Sequence, residues 1–351
     1  MAGSGFVRRL PDIAIADRQL AGGKGSSLGE LTRAGFPVPD GYVVTAPAFE
    51  QMLAALGQQA SLGEIERLPA GDHAGIERAA ASIRRRIENA PLPAGLRTSI
   101  ADHYRALGGA PVAVRSSATA EDGGEASFAG LQDTYLWTRG PEAVAEHVRK
   151  CWASLYSLES VSYRRRIGLP EAGLAMAVVV QRMVDARCAG VMFTRSPTTG
   201  DRSVIALEAS WGLGSAIVGG AVTPDTYRIS KVTGEIVRRQ VAVKVRLHRM
   251  ALGGQGIVED DVPVNLQAAA CLSDEEIRAL ARLGRHIEDH YGAPQDIEWA
   301  IAGDRRAGEG LFLLQSRPET VWAHREPTPL AAPKATPFSH VVELLGKNLP
   351  S

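Results

Sequence analysis

Three groups of residues have the types and spacing for phosphate chemistry. Arg115 closes a short apolar run, residues 112–114, that fits a buried strand. The hydroxyls Ser116, Ser117 and Thr119 follow it, then a small-residue segment holding Gly123, Gly124, Ser127 and Gly130, which Thr134 and Tyr135 close. Small residues let a backbone approach a ligand and turn its N–H groups inward. A guanidinium on a rigid strand pairs phosphate oxygens through a planar fork. The local reading is a polyphosphate cradle, although a surface loop after a strand fits the glycines equally well.

Lys24 lies in a second glycine-rich segment, GGKGSSLGEL, at residues 22–31. The lysine sits in a turn that opens a helix carrying Leu28 and Leu31. A helix start attracts anions, and a lysine adds a mobile charge. The segment is not a P-loop. Arg18 stands where the first glycine belongs, and Gly25 stands where a metal-binding hydroxyl belongs. A solvated lysine in a turn also fits.

The third group is Glu298, Gln315 and Arg317. Residues 295–301 and 311–317 read as two strands around a polar loop, 303–310. Glu298 lies five residues before Gly303 and Gln315 five after Gly310, so a symmetric hairpin sets them opposite one another, with side chains about 5 Å apart. A carboxylate and an amide oxygen at that separation are hard ligands of the kind magnesium takes beside a phosphate. Arg317 shares the face of Gln315. A polar cross-strand pair on an exposed hairpin is the alternative.

The elements that must position these groups can be read from periodicity. Residues 46–110 read as helices with polar connections, punctuated by Pro91, Pro93, Gly108 and Gly109. Residues 142–166 have helical spacing, with Val144, Val148, Cys151, Trp152 and Leu155 on one stripe. Residues 174–184 form a buried strand with Gln181, Met183 and Val184 at its exit. There Met183 fits core packing as well as a ligand contact. Residues 188–194 and 203–209 are further strands. Glu208 ends the second, beside a glycine loop that fails as a dinucleotide fingerprint because Ile217 takes the third glycine position. A role toward cations or ribose and a structural ion pair both fit Glu208. Residues 226–230 and 236–247 read as a hairpin whose second arm alternates Val241, Val243, Val245 and Leu247. Ser273 and Glu276 form a capping box, and Gly292 and Pro294 end that helix. His286 and His290 have i, i+4 spacing on it, but no metalloprotease pattern accompanies them.

Composition narrows the function classes. The 351 residues suit two domains and 45% are hydrophobic, enough for a real core. Lys plus Arg equals Asp plus Glu at 39 each, so no net field favours nucleic acid or an acidic membrane. Cys151, Cys188 and Cys271 are widely spaced, which fits a reducing cytoplasm rather than a zinc site or disulfide framework. The N-terminus lacks the apolar core of a signal peptide.

Four stretches, residues 22–45, 112–136, 174–230 and 295–321, together resemble the nucleotide-binding domain of the phosphoenolpyruvate synthase and pyruvate phosphate dikinase family, which includes rifampicin phosphotransferase. The matching strings are GGKGSSLGEL with AGFPVPDGYVVT, the Arg115 segment, and DIEW with LLQSRPET. The resemblance implies an α+β, ATP-grasp fold of two lobes, residues 1–185 and 186–322, with ATP between them. A Pro-rich tail at 323–351 follows. It implies catalytic roles at the phosphates for Lys24, Arg115 and Arg317. It gives nucleotide contacts to Gly130, Thr134, Gln181, Met183 and Val184, and Mg2+ ligation to Glu298 and Gln315. The expected activity is cleavage of ATP to AMP, with the β-phosphoryl group passing to a histidine. The chain's only Ser-His pair, Ser339-His340, lies in the tail without the glycines of that histidine's usual motif. The histidine is therefore expected on a partner polypeptide, a layout similar to that of phenylphosphate synthase. A small acceptor follows, with phenol favoured and pyruvate possible. An excised rifampicin phosphotransferase domain and a non-catalytic nucleotide-sensing subunit are the alternatives.

Overall fold

Two antiparallel sheets carry the fold. The computed structural model describes residues 5–57, 65–69, 71–119, 133–171, 173–303 and 310–322. The first sheet has five strands in the order β1-β2-β5-β3-β4: β1 (Val7–Arg9), β2 (Gly41–Val44), β3 (Val112–Ala118), β4 (Thr134–Thr138) and β5 (Met176–Arg182). The second has six in the order β13-β12-β6-β7-β8-β9: β6 (Ala186–Phe193), β7 (Val204–Trp211), β8 (Asp225–Ser230), β9 (Ile236–Gln240), β12 (Gln295–Ala302) and β13 (Leu311–Pro318). A separate hairpin pairs β10 (Arg246–Met250) with β11 (Ile257–Asp261). The chain is α+β. Residues 1–319 form one compact unit and the segment from Thr320 onward a second. The expected boundary at 185/186 falls between the last strand of the first sheet and the first strand of the second, and the Pro-rich tail at 323–351 lies outside the described residues.

The first sheet is covered on both faces, which is why β5 reads as an unbroken apolar run. On one face Tyr42, Val44, Val112, Val114, Val178 and Val180 pack beneath α2 (Ala46–Ala55), α3 (His73–Asn89), α4 (Ala94–Ala106), α5 (Pro141–Ser154) and α6 (Leu158–Arg166). On the other, Val43, Ala177 and Val179 pack with Leu28 of α1 (Arg18–Arg33). The helix expected over 142–166 is two helices. Ser157 accepts a hydrogen bond from the Ser160 amide and caps α6, which breaks the run.

The second sheet buries one face against α7 (Asp274–Tyr291), through Ile277, Leu280 and Ile287 on Leu207, Met192 and Ile297. The helix has its capping box at Ser273 and Glu276, and Gly292 ends it in the left-handed region. Gly284 makes the close approach possible, since a Cβ there would lie 2.7 Å from the Met192 sulfur.

The alternating arm expected over 236–247 is not one strand. β9 ends at Gln240, and Val241, Val243 and Val245 are exposed. Lys244 is the residue that turns inward, fully buried against Asp225. A buried charge with a partner outcompetes three valines that find no apolar surface to cover.

Candidate active site

α1 places Lys24, and its geometry depends on glycine. The helix is interrupted at Gly22, whose φ of 71° and ψ of 176° suit only glycine. Beyond that break the chain re-enters the helix at Gly23 and Lys24, so the glycine turn lies inside α1 instead of ahead of it. Ser117 of β3 locks this break. Its hydroxyl donates to the Ala21 carbonyl at 2.8 Å and accepts from the Gly25 amide at 3.0 Å. One turn further on, the Ser27 hydroxyl donates to the Ser316 carbonyl at 2.6 Å. Lys24, half-buried, thus sits on a helix tied at one point to β3 and at another to β13.

The register of the first sheet collects further site residues on the face that α1 covers. Arg115 pairs with Val179 and Thr134, Ser117 with Ala177, and Ala113 with Gln181. Directly paired residues share a face. Arg115, Ser117, Gln181 and Thr134 therefore lie on the α1 side, with Thr134 exposed and Gln181 buried. The Gln181 amide donates to the Pro39 carbonyl at 3.3 Å. Gly130 and the glycine-rich segment around it lie outside the described residues.

The second sheet supplies a polar row on its other face. Thr226, Glu208, Val191, Glu298 and Gln315 pair across β8, β7, β6, β12 and β13. Glu298 and Gln315 are direct partners, the register expected from the hairpin. A β-bulge produces it. Trp299 pairs with Leu313, and Leu314 is skipped before Gln315 meets Glu298. Asp296 and Arg317 lie in the next row along. Arg317 donates through Nε and Nη2 to one Asp296 oxygen, at 3.0 and 2.9 Å. Burial raises the Asp296 carboxyl above its usual range, while Arg317 opposes the shift. Glu208 is also raised, by burial first and by the Asp296 charge second. Sequence reasoning could not place Glu208 in this row. Its alignment with Glu298 requires the register of three strands.

The two sheets meet at Arg115. One of its nitrogens donates to Gln315 Oε1 at 2.8 Å and to Glu298 Oε2 at 3.1 Å. The other donates to the Leu314 carbonyl at 2.6 Å. That carbonyl belongs to the bulged residue, which has no counterpart on β12, so the bulge both sets the Glu298–Gln315 register and presents an acceptor to Arg115. The Arg115 side chain is 11% exposed and that of Glu298 33%. Two hard oxygens from adjacent strands already converge on one cationic group. This donor set fits a divalent cation of the magnesium type, which needs only one or two carboxylate or amide oxygens when a phosphate supplies the rest. Among the described residues no cluster of three or more His, Cys, Asp or Glu could hold a metal unaided. His290 instead contacts Glu30, at 3.1 Å.

An apolar floor extends from the polar row. Val184, Ala189 and Ala300 are buried together, with Phe312 and Leu314 packed on them. Ala300 is two residues from Glu298 on one strand and so shares its face, about 7 Å away. The floor opens into a cleft of about 460 Å³ lined by Arg182, Met183, Val184, Asp185, Ala302 and Phe312. That volume is in the range of small-molecule sites. The Met183 amide is bonded to the Pro111 carbonyl at 2.9 Å, so its N–H is already used inside the fold.

The arrangement sets a cluster of Arg115, Glu298 and Gln315 near an apolar floor that opens into a cleft. Its sequence context is equally specific. Residues 18–336 match the family described as pyruvate phosphate dikinase, AMP/ATP-binding domain. A probable phosphoenolpyruvate synthase of Methanothermobacter thermautotrophicus is 45% identical over 90% of this chain and 46% of its own length. The phosphoenolpyruvate synthase of Aeropyrum pernix is 38% identical over 97% of this chain and 46% of its own. Rifampicin phosphotransferase of a Streptomyces species is 41% identical over 90% of this chain and 36% of its own. The chain thus spans less than half the length of these relatives. With its family matched over every strand of both sheets except β1, the chain belongs to the AMP/ATP-binding domain family of pyruvate phosphate dikinase, an ATP-grasp-type fold.

Proposed function

We propose that the chain is the ATP-binding part of a dikinase-type phosphotransferase. The observation that carries this reading is the convergence of Arg115, from the first sheet, on Glu298 and Gln315 of the second. Residues 1–185 and 186–322 act as the two lobes that close on ATP. The base lies along Met183 and Val184, with Gln181 and Thr134 on the same side of the first sheet. Lys24, Arg115 and Arg317 hold the phosphates, and Glu298 and Gln315 hold Mg2+.

Phosphoryl transfer is mostly positioning and charge stabilisation. Arg115 grips equatorial oxygens from a buried strand, so its fork is fixed before the reaction begins. Lys24 adds a mobile charge from a helix start that hydrogen bonds hold at both ends. The apolar floor keeps water from the transferring group. Mg2+, when bound, spreads the negative charge of the polyphosphate. ATP is cleaved to AMP: the β-phosphoryl group passes to a histidine on a partner polypeptide and from there to a small acceptor, and the γ-phosphoryl group leaves to water as inorganic phosphate. The phenylphosphate synthase layout makes phenol the favoured acceptor, with pyruvate as the second choice. The 41% identity to rifampicin phosphotransferase supports a second reading, in which the acceptor is rifampicin.

The test is the identity of the nucleotide product. The chain is incubated with Mg2+ and ATP, with and without a histidine-bearing carrier domain, and the nucleotides are separated by chromatography. AMP formed only with the carrier, and reduced about 100-fold or more by Arg115→Ala, is the expected result. ADP formed by the chain alone overturns the proposal in favour of ligase-type chemistry. Tight ATP binding with no product under either condition overturns it in favour of a nucleotide sensor.

A further inference from the structure

We propose that Arg115 reserves the cation site for the metal–nucleotide complex and keeps free metal out. The inference rests on the phosphate and metal roles given above, and adds a competition between them. The two oxygens that suit a divalent cation, Glu298 Oε2 and Gln315 Oε1, are both engaged by one nitrogen of Arg115, at 3.1 and 2.8 Å. The second nitrogen is engaged by the Leu314 carbonyl at 2.6 Å. The guanidinium therefore stands where the metal's ligands converge, and it is itself a permanent cation.

A magnesium-type ion needs these oxygens at about 2.1 Å in near-octahedral geometry. The lone pairs that point at Arg115 are then required elsewhere, and a divalent ion set beside the guanidinium meets like-charge repulsion in a site of low exposure. Free metal must displace Arg115 from its three acceptors, Glu298, Gln315 and the Leu314 carbonyl. A polyphosphate changes the balance. Its oxygens accept the guanidinium fork bidentately, and they complete the coordination of the metal. Arg115 passes from carboxylate and amide to phosphate at the moment the metal arrives. The bulge at Leu314 makes the resting position specific, since its free carbonyl fixes the fork with a third contact.

The consequence is a binding order. Metal loads with the nucleotide, and a nucleotide-free protein binds metal weakly although its ligands are already in place. The measurement is Mn2+ binding by electron paramagnetic resonance, with and without a non-hydrolysable ATP analogue. Wild-type protein is compared with Arg115→Met and Arg115→Lys, and folding of each is checked by circular dichroism. The expected result is free Mn2+ binding at least tenfold tighter in Arg115→Met than in wild type, with binding of the Mn2+–analogue complex weakened. Arg115→Lys keeps the charge but loses the fork, so its free-metal affinity should fall between the two. It also keeps the comparison available if the methionine variant does not fold. Free Mn2+ affinity unchanged or weaker in a folded variant overturns the proposal while leaving the metal site itself intact, provided wild type binds the Mn2+–analogue complex. Failure of wild type to bind that complex overturns the metal assignment of Glu298 and Gln315, and this inference with it.

Discussion

Gly22→Ala tests the join between the Lys24 helix and the Arg115 strand. At Gly22 the backbone has φ 71° and ψ 176°, a region that costs a side-chain-bearing residue about 1–3 kcal/mol. An added Cβ would lie 2.1 Å from the Ser117 carbonyl oxygen and 2.3 Å from its hydroxyl. Both distances are more than 1 Å short of ordinary contact, about 3.4 Å, and the nearest atom belongs to a strand backbone paired with Ala177 of β5. The start of α1 must lift off. Lifting it breaks the two hydrogen bonds of the Ser117 hydroxyl, to Ala21 and from Gly25, worth about 1 kcal/mol each. The sum is a loss of about 3–5 kcal/mol. Gly35→Ala is the control. Gly35 also has positive φ, at 79°, but nothing lies within 4 Å of the Cβ position, so only the backbone contribution of about 1 kcal/mol remains. Urea unfolding of both variants gives the two losses, and equilibrium binding of Mg2+–ATP gives the functional consequence. Lys24 lies two residues beyond Gly22, so Gly22→Ala should weaken nucleotide binding and Gly35→Ala should not. Losses within about 1 kcal/mol of one another would show that the Ser117 contact does not hold α1, and the reasoning would fail.

Two further outcomes follow from buried and half-buried ionisable groups. Lys244→Met leaves Asp225 charged and fully buried, with Tyr227, Cys271 and the Ala242 amide as its donors among the described residues. It should destabilise the protein by about 3–5 kcal/mol in urea unfolding, and a loss under about 1 kcal/mol would contradict the account of the 241–245 segment. His147 stacks on Tyr135 at 4.3 Å, and its Nδ1 lies 2.8 Å from the Thr138 hydroxyl. Burial, helped by the Lys150 charge, holds its pKa below the ordinary value. A depressed base contributes stability that is present above its unfolded pKa, near 6.5, and lost as pH falls from there through the folded value. His147→Phe should flatten the urea midpoint between pH 7 and pH 5, and an unaltered slope in that variant would remove His147 as its source.

The parts of the site carried by local elements were legible in the sequence, and the joints between them were not. Period-two alternation identified β12 and β13, and the capping box and Gly292 identified the two ends of α7. The Glu298–Gln315 pairing was reached by counting outward from Gly303 and Gly310, but the count omitted a step. Near the turn Ile301 pairs with Leu311 and Trp299 with Leu313, a register that would set Glu298 opposite Leu314. A one-residue slip of this kind moves every side chain to the other face. The bulge at Leu314 corrects it, and no residue type in that stretch announces the bulge. The arm over 241–247 failed for the opposite reason. Its alternation is real, but an alternating pattern states only that two faces differ. Which face is buried depends on Asp225, some 19 residues away, whose charge draws Lys244 inward. The contact of Arg115 with Glu298 spans 183 residues and two sheets. Sequence chemistry suggested a phosphate or metal role for each of these groups. It could not show that, with neither ligand bound, the groups satisfy one another. That mutual satisfaction follows from burial: a strand arginine and a strand carboxylate brought to one cleft must be paired or solvated. The low exposure of Arg115 favours pairing, and Glu298, Gln315 and the Leu314 carbonyl supply it.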